Sequence, residues 1–259
     1  MRDRRRPLRE HLEELRRRLI VSAIVLVVGL GVSFAFFQEF LRFLLAPAQA
    51  YLSPTGKPIF TEVTEYLGVA VRVSLLGGFA LATPVILHQA VMFVAPALTP
   101  QERRYAFSII PGALLLFAGG VAFAYFILLP PALRFLLTWG QDVATPMVRI
   151  GPYINLVVTL LFWMGLVFET PLIMFLLARF GVVSPEAFGA GRRYAIVGAF
   201  LLAAIITPTF DPVNQTLVAV PLILLYELGI WLSKLAVLQP RPVPRRRAPR
   251  PEAPGTPGH

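Results

Sequence analysis

Long stretches without charged side chains divide this chain into six apolar segments. Runs without Asp, Glu, Lys or Arg cover 19–38, 73–101, 105–133, 150–168, 194–210 and 212–226, and the fourth and the last resume beyond one glutamate each. A hydrocarbon layer about 30 Å thick needs about 20 apolar residues per helix. The pattern therefore predicts an all-α integral membrane protein with six transmembrane helices.

Three helix starts are marked by a capping residue followed by proline. They are Thr99-Pro100, Ser184-Pro185 and Asp211-Pro212, and each pair suits the first turn of a helix. The fifth run is too short to cross an ordinary bilayer, because a helix of roughly 15 to 17 residues reaches only about 25 Å. We expect the bilayer to thin around it.

The net charge of +10 is distributed unevenly along the chain. With the amino terminus in the cytoplasm, segments 1–18, 96–104, 179–193 and 234–259 hold 8, 2, 3 and 6 Lys or Arg, nineteen in all, against four on the other side. Cytoplasmic loops carry such an excess. The count predicts a multi-pass protein of a prokaryotic inner membrane with both termini in the cytoplasm, and it calls for no nucleic-acid partner.

The two ends of the chain differ from its apolar middle. In residues 1–18, leucines recur at helical spacing from Leu8 among eight arginines, whereas 236–259 is rich in Pro and Arg. We therefore expect a cytoplasmic amphipathic segment over 1–18, a six-helix transmembrane domain over 19–235 and a disordered cytoplasmic tail over 236–259.

The sequence offers no constellation for catalysis or cofactor binding. It has no cysteine and three histidines, and the segment that follows His11 lacks the second histidine of HExxH. Neither a Gly-x-Ser-x-Gly elbow nor a phosphate-binding loop is present. We expect neither an enzyme nor a metal or cofactor site, which also argues against an intramembrane protease.

Glu169 is the most conspicuous ionisable residue within a predicted span, and such residues usually mark function. It either pairs with a neighbouring helix or offers a polar contact or pathway. Gln215 and Asp211 stand at the start of the last helix, where Asp211 also suits an N-cap. A proton-coupled secondary transporter with a site around Glu169 is the alternative function, although no internal repeat supports it.

Short motifs in a fixed order resemble the TatC family over nearly the whole chain up to about residue 235. They are His11-Leu-Glu-Glu-Leu-Arg-Arg-Arg-Leu19, Ala82-Thr-Pro-Val-Ile-Leu-His-Gln89, Phe93-Val-Ala-Pro-Ala-Leu98, Glu102-Arg-Arg104, Ala122-Phe-Ala-Tyr125, Phe168-Glu-Thr-Pro171, Ser184-Pro185, Arg193-Tyr194, Thr207-Pro208 through Asp211 to Gln215, and Leu225-Tyr-Glu227.

The resemblance implies a concave six-helix bundle that binds signal peptides carrying two arginines and exports folded proteins, drawing on the proton gradient. Its partners would be those peptides, single-span proteins of the TatA and TatB type, membrane lipid and further copies of itself. The implied peptide-binding residues are His11, Glu14, Leu15, Arg16, Phe93, Glu102 and Arg103. Glu169, Thr207, Asp211 and Gln215 would provide polar contacts with the partners.

Physical chemistry supports the two acidic positions, because carboxylates accept the planar donor fork of arginine. Each also has a purely structural interpretation. Glu14 stands four residues before Arg18, as in a helical ion pair, and Glu102 completes a capping box with Thr99. Glu13 could share the role of Glu14.

Overall fold

The computed structural model describes residues 8–51, 57–95, 100–139, 142, 147–207 and 211–238, and in this part of the chain the secondary structure is helical. Its α-helices are α1 Leu8–Ala35, α2 Phe37–Leu45, α3 Glu65–Val94, α4 Pro100–Phe123, α5 Leu129–Thr138, α6 Ile150–Phe168, α7 Thr170–Arg179, α8 Pro185–Ala190, α9 Arg192–Ile206 and α10 Pro212–Leu238. A 3₁₀ segment, Ala46–Tyr51, follows α2. No strand forms among these residues, so the predicted all-α class is confirmed.

Five segments of the described chain are long and apolar enough to cross a membrane. They are Glu10–Ala35, Glu65–Phe93, Phe107–Thr138, Ile150–Arg179 and Pro212–Leu238. The remaining predicted span corresponds to α9, whose 15 residues extend about 22 Å at 1.5 Å per residue. The sixth crossing and the side on which the termini lie stay predictions.

The boundaries at the two ends of the domain differ slightly from the pattern. α1 begins at Leu8 and continues without interruption past residue 18, so the amphipathic segment forms its first turns. α10 continues to Leu238. The predicted tail beyond it, 239–259, lies outside the described residues, as do residues 1–7.

The start signals of two helices are confirmed in detail. The hydroxyl of Ser184 accepts a hydrogen bond from the Ala187 amide at 3.2 Å, with Pro185 in the first turn of α8. The Asp211 carboxylate caps α10 by accepting from the Asn214 amide at 2.7 Å. α4 begins at Pro100 as expected, while Thr99 lies outside the described residues.

α6 is the centre of the bundle. Its apolar side chains are fully or almost fully buried against α3, α4 and the end of α9, and they include Ile154, Val157, Leu160, Leu161 and Met164. α1 packs along α3, and α10 packs along α7 and α9. The buried stripe of α6 therefore holds the helices of the bundle around one core.

The bundle has two chemically different ends. We call the end with α2 and the starts of α3 and α6 the capped end, and the end with the start of α1 and the close of α3 the basic end. At the capped end, Tyr125 and Tyr153 donate hydrogen bonds to the carbonyls of Phe43 and Leu44, each at 2.7 Å. These bonds satisfy two carbonyls in the last turn of α2 and fix that helix over the core.

One π-helical turn, Ala124–Leu128, joins α4 to α5. It precedes Pro130 and Pro131, which cannot donate backbone hydrogen bonds to the preceding turn. The wider turn carries the chain into α5 without a break, so that Phe107–Thr138 forms a single apolar segment.

Candidate functional site

Two polar contacts connect α1 with α3 at the basic end. The guanidinium of Arg18 donates to the Glu14 carboxylate at 3.1 Å and, through its other terminal nitrogen, to the side-chain oxygen of Gln89 at 3.1 Å. Both charged side chains are mostly shielded, with 17% of Glu14 and 22% of Arg18 exposed. The helical pairing of Glu14 with Arg18 is therefore present, and it extends to a third group on a neighbouring helix.

Aromatic and sulfur contacts continue this surface. The rings of His11 and Phe93 stack with their centroids 4.6 Å apart. Arg103, in the first turns of α4, approaches the Met92 sulfur at 3.8 Å and lies over the Phe107 ring at 5.9 Å. Four of the predicted peptide-binding residues, His11, Glu14, Phe93 and Arg103, thus lie on three helices that meet at the basic end.

The structure describes the other predicted residues of this site in less detail. Leu15 is half-buried, and Arg16 and Glu13 are exposed on the same turn of α1. Glu102 belongs to the first turn of α4, but its side chain lies outside the described part of the structure. Its capping and recognition interpretations therefore both stay open. Gln89 was not among the predicted site residues, although it is a polar residue near the end of an apolar run.

Glu169 occupies the junction between α6 and α7. Only 7% of its surface is exposed, and one carboxyl oxygen has no hydrogen-bond partner among the described residues. The side chain borders a cavity of about 310 Å³, whose other lining residues are apolar and come from α3, α4 and α7. A buried carboxyl group with an unused oxygen is thus available inside the bilayer-spanning region.

The other three intramembrane candidates lie at the capped end and make internal hydrogen bonds. Thr207 donates to the Ala203 carbonyl at 2.8 Å, and Asp211 caps α10. Gln215 donates to the Phe200 carbonyl of α9 at 3.1 Å. These groups do not line the cavity of Glu169, so the structure places the polar candidates in two separate regions.

A charged network at the capped end was not foreseen from the sequence. The Glu65 carboxylate accepts from the Thr61 and Gly151 amides, each at 2.9 Å, and from Arg149 at 3.2 Å. Arg149 also donates to Glu62 at 3.2 Å. The carboxylates of Glu65 and then Glu62 raise the pKa of Arg149 above its ordinary value. The only sign of this network in the sequence is a pair of acidic residues, Glu62 and Glu65, shortly before the second apolar run.

The fold and its polar groups define a polytopic helical membrane protein. Residues 10–221 match the family described as Sec-independent protein translocase protein (TatC). The chain belongs to the TatC family. It is a component of a twin-arginine translocase and not an enzyme, so the predicted identity is confirmed.

Individual relatives agree with this membership. The TatC protein of Aquifex aeolicus is 43% identical over 233 residues, 89% of this chain and 95% of the relative. The chloroplastic TATC protein of Arabidopsis thaliana is 39% identical over 87% of this chain and 66% of its own length. A crystal structure of the twin-arginine translocase receptor TatC matches with a TM-score of 0.79 at 41% identity, covering 88% of this chain and 99% of that one. None of these relationships favours the secondary-transporter alternative.

Proposed function

We propose that this chain is the receptor subunit of the translocase and binds twin-arginine signal peptides at its basic end. One observation carries the proposal. The partly buried carboxylate of Glu14 already holds a guanidinium, that of Arg18, at 3.1 Å. The position therefore has the chemistry and the access that an arginine of a peptide requires.

The surrounding groups suit the rest of such a peptide. A peptide arginine would join or replace Arg18 at Glu14, and Glu102 in the first turn of α4 would accept the second arginine. The stacked rings of His11 and Phe93 offer an apolar floor beside these carboxylates. Leu15, Arg16 and Arg103 would complete the contacts from α1 and α4.

Peptide retention by the purified protein tests this site. A signal peptide with two arginines should bind, and the same peptide with two lysines should be released, because lysine lacks the bidentate fork. Glu14→Gln and Glu102→Gln should each weaken binding roughly tenfold or more, since a charge-assisted hydrogen bond contributes about 1.5 to 3 kcal/mol. Glu10→Gln, at an exposed position on α1, is the matched control and should bind as the wild type does, whereas weaker binding by Glu13→Gln would give Glu13 a share in the role of Glu14. Unchanged affinity in both Glu14→Gln and Glu102→Gln would place recognition elsewhere.

We further propose six crossings with both termini in the cytoplasm, α9 being the short crossing in a locally thinned bilayer. The distribution of Lys and Arg supports this topology. Because the chain has no cysteine, single cysteines can be introduced at Lys57, Arg104 and Arg193 without background. An impermeant thiol reagent added to intact cells should label only the first. Labelling at Arg104 from outside would contradict the topology.

Single-span proteins of the TatA and TatB type are the proposed partners, and the assembly would export folded proteins at the expense of the proton gradient. Glu169 and Gln215 would supply polar contacts to partner helices, since a polar group in lipid gains from a matching donor. Thr207 and Asp211 would contribute through the shape of the α9–α10 corner that their internal bonds maintain. Several copies of the chain could share one assembly.

Glu169→Ala separates partner contact from a structural role. The variant should reach the membrane in normal amount and bind signal peptide, yet fail to retain its single-span partners during purification and lose export. Glu186→Ala, which removes an exposed carboxylate on α8, serves as a control. Normal partner retention and export by Glu169→Ala would assign the carboxyl group to structure alone.

A further inference from the structure

A polar groove of about 540 Å³ opens between α3 and α6 at the capped end. The first two turns of each helix form its walls, and the Glu62, Glu65 and Arg149 network closes its top. Asn155, one turn into α6, is exposed on the same wall. Charged and amide groups thus face a space that lies beside lipid rather than inside the protein.

Arg72 is the charge of this groove that has no ion pair among the described residues. It stands seven residues after Glu65, about 10 Å further along α3 at 1.5 Å per residue, within a membrane-spanning segment. Its side chain is exposed and makes no ion pair with any residue in the described ranges. Both nearby carboxylates are already bound to Arg149. An arginine at such depth is unfavourable unless an anionic group accepts its hydrogen bonds.

The groove also has room for a ligand next to Arg72. A Cβ atom added to Gly68, one turn above Arg72, would meet no atom within 4 Å. Glu62 is 69% exposed at the mouth, so its carboxylate can accept a donor in addition to Arg149. The four charges of Glu62, Glu65, Arg72 and Arg149 cancel, and the groove as a whole therefore does not favour a ligand with a net negative charge.

We propose that this groove binds the headgroup of a zwitterionic phospholipid from the leaflet at the capped end. The phosphodiester would accept from the guanidinium of Arg72 and the amide of Asn155. The ammonium group of an ethanolamine headgroup would donate to Glu62, and the open space at Gly68 would hold the part of the headgroup between the ammonium and the phosphodiester. A lipid of this leaflet brings a phosphodiester to Arg72 within the span and an ammonium group toward Glu62 at the mouth, and so matches the charges of the groove.

Native mass spectrometry of the whole protein, stripped of lipid in detergent and mixed with phosphatidylethanolamine, tests the proposal. The wild type should retain the lipid. Arg72→Gln should reduce the affinity about tenfold by removing the charged donor. Gly68→Leu, which keeps every charge and fills the groove, should do the same. Arg134→Gln, another exposed cation near the capped end, and Gly119→Leu, at an open helical position, are the matched controls.

Each outcome decides the proposal. Loss of phosphatidylethanolamine in both groove variants, with unchanged binding in both controls, is the expected result. Wild-type affinity in Arg72→Gln or Gly68→Leu would overturn it, as would tighter binding of phosphatidylglycerol than of phosphatidylethanolamine by the wild type. If Arg72→Gln fails to fold, as judged by its thermal midpoint and its gel-filtration profile, Gly68→Leu alone decides.

Discussion

Gly29 lies where the backbones of α1 and α3 are in close contact, and replacing it with alanine should separate the two helices. A Cβ atom at this position would stand 2.7 Å from the carbonyl oxygen of Gly78, whereas ordinary contact begins at 3.4 Å. The obstacle is backbone, which cannot rotate away. The helices would have to move apart by the difference, about 0.7 Å.

Two opposing effects set the magnitude. Overpacking of a fitted interface costs about 1 to 3 kcal/mol, and alanine regains about 0.5 to 1 kcal/mol of helix preference over glycine. The net loss of stability for Gly29→Ala is therefore about 1 kcal/mol, within a range of about 0 to 2.5 kcal/mol. Gly31 is the control within the same helix, because a Cβ there meets nothing within 4 Å. Gly31→Ala should be neutral or slightly stabilising.

Thermal unfolding in detergent measures the effect, and peptide retention measures its consequence. Gly29→Ala should unfold a few degrees below the wild type. It should also bind signal peptide more weakly, because displacement of α1 moves Glu14 and Arg18 away from Gln89. Equal stability of Gly29→Ala and Gly31→Ala would refute the argument from close helix packing.

Three further substitutions test other contacts. Tyr153→Phe should lower stability by about 1 kcal/mol, because the buried hydroxyl donates to the Leu44 carbonyl at 2.7 Å, and the thermal midpoint reports it. Arg149→Gln should speed proteolysis of the capped-end loops, since its guanidinium joins two carboxylates. Arg179→Gln should increase hydrogen exchange in the last turn of α10, where the guanidinium now donates to the Ala236 carbonyl at 2.9 Å.

Exposed residues of the same types provide the comparisons. Tyr66→Phe, Arg42→Gln and Lys234→Gln should leave the respective measurement unchanged. If Tyr153→Phe matches Tyr66→Phe in thermal midpoint, the hydroxyl bond contributes nothing to stability. Equal rates of proteolysis in Arg149→Gln and Arg42→Gln would show that the ion pairs of Arg149 do not protect the loops. Equal hydrogen exchange in Arg179→Gln and Lys234→Gln would show that the bond from Arg179 does not protect the last turn of α10.

The helical architecture could be predicted because a long run without charged residues indicates a helix that is surrounded by lipid. Each predicted run overlaps a helix or a continuous pair of helices, and the proline-marked starts at Ser184 and Asp211 agree with observed caps. The short α9 was expected from the length of the fifth apolar run. These features depend on residues that are close together in the sequence, so the sequence pattern is enough to predict them.

The capped end could not be predicted, because its order depends on contacts between distant residues. α2 buries Leu41 and Leu44 against the core, and tyrosines from other helices satisfy its last carbonyls. Nothing close to Arg149 in the sequence indicates that it pairs with Glu62 and Glu65. At the basic end the acidic residues were found, but the bond from Arg18 to Gln89 spans 71 positions and leaves no local pattern.

The π turn at Ala124–Leu128 determines the direction in which the side chains of α5 face. An extra residue in one turn advances the helix by about 100°. The turn is followed by two buried pairs, Leu128–Leu129 and Ala132–Leu133, and then by the exposed Arg134. Deleting one residue from this turn would rotate α5 by about 100°, so that the exposed Arg134 would take the inward direction of the buried Leu133, although the composition of the span would barely change. In this span, the number of residues therefore matters as much as their hydrophobicity.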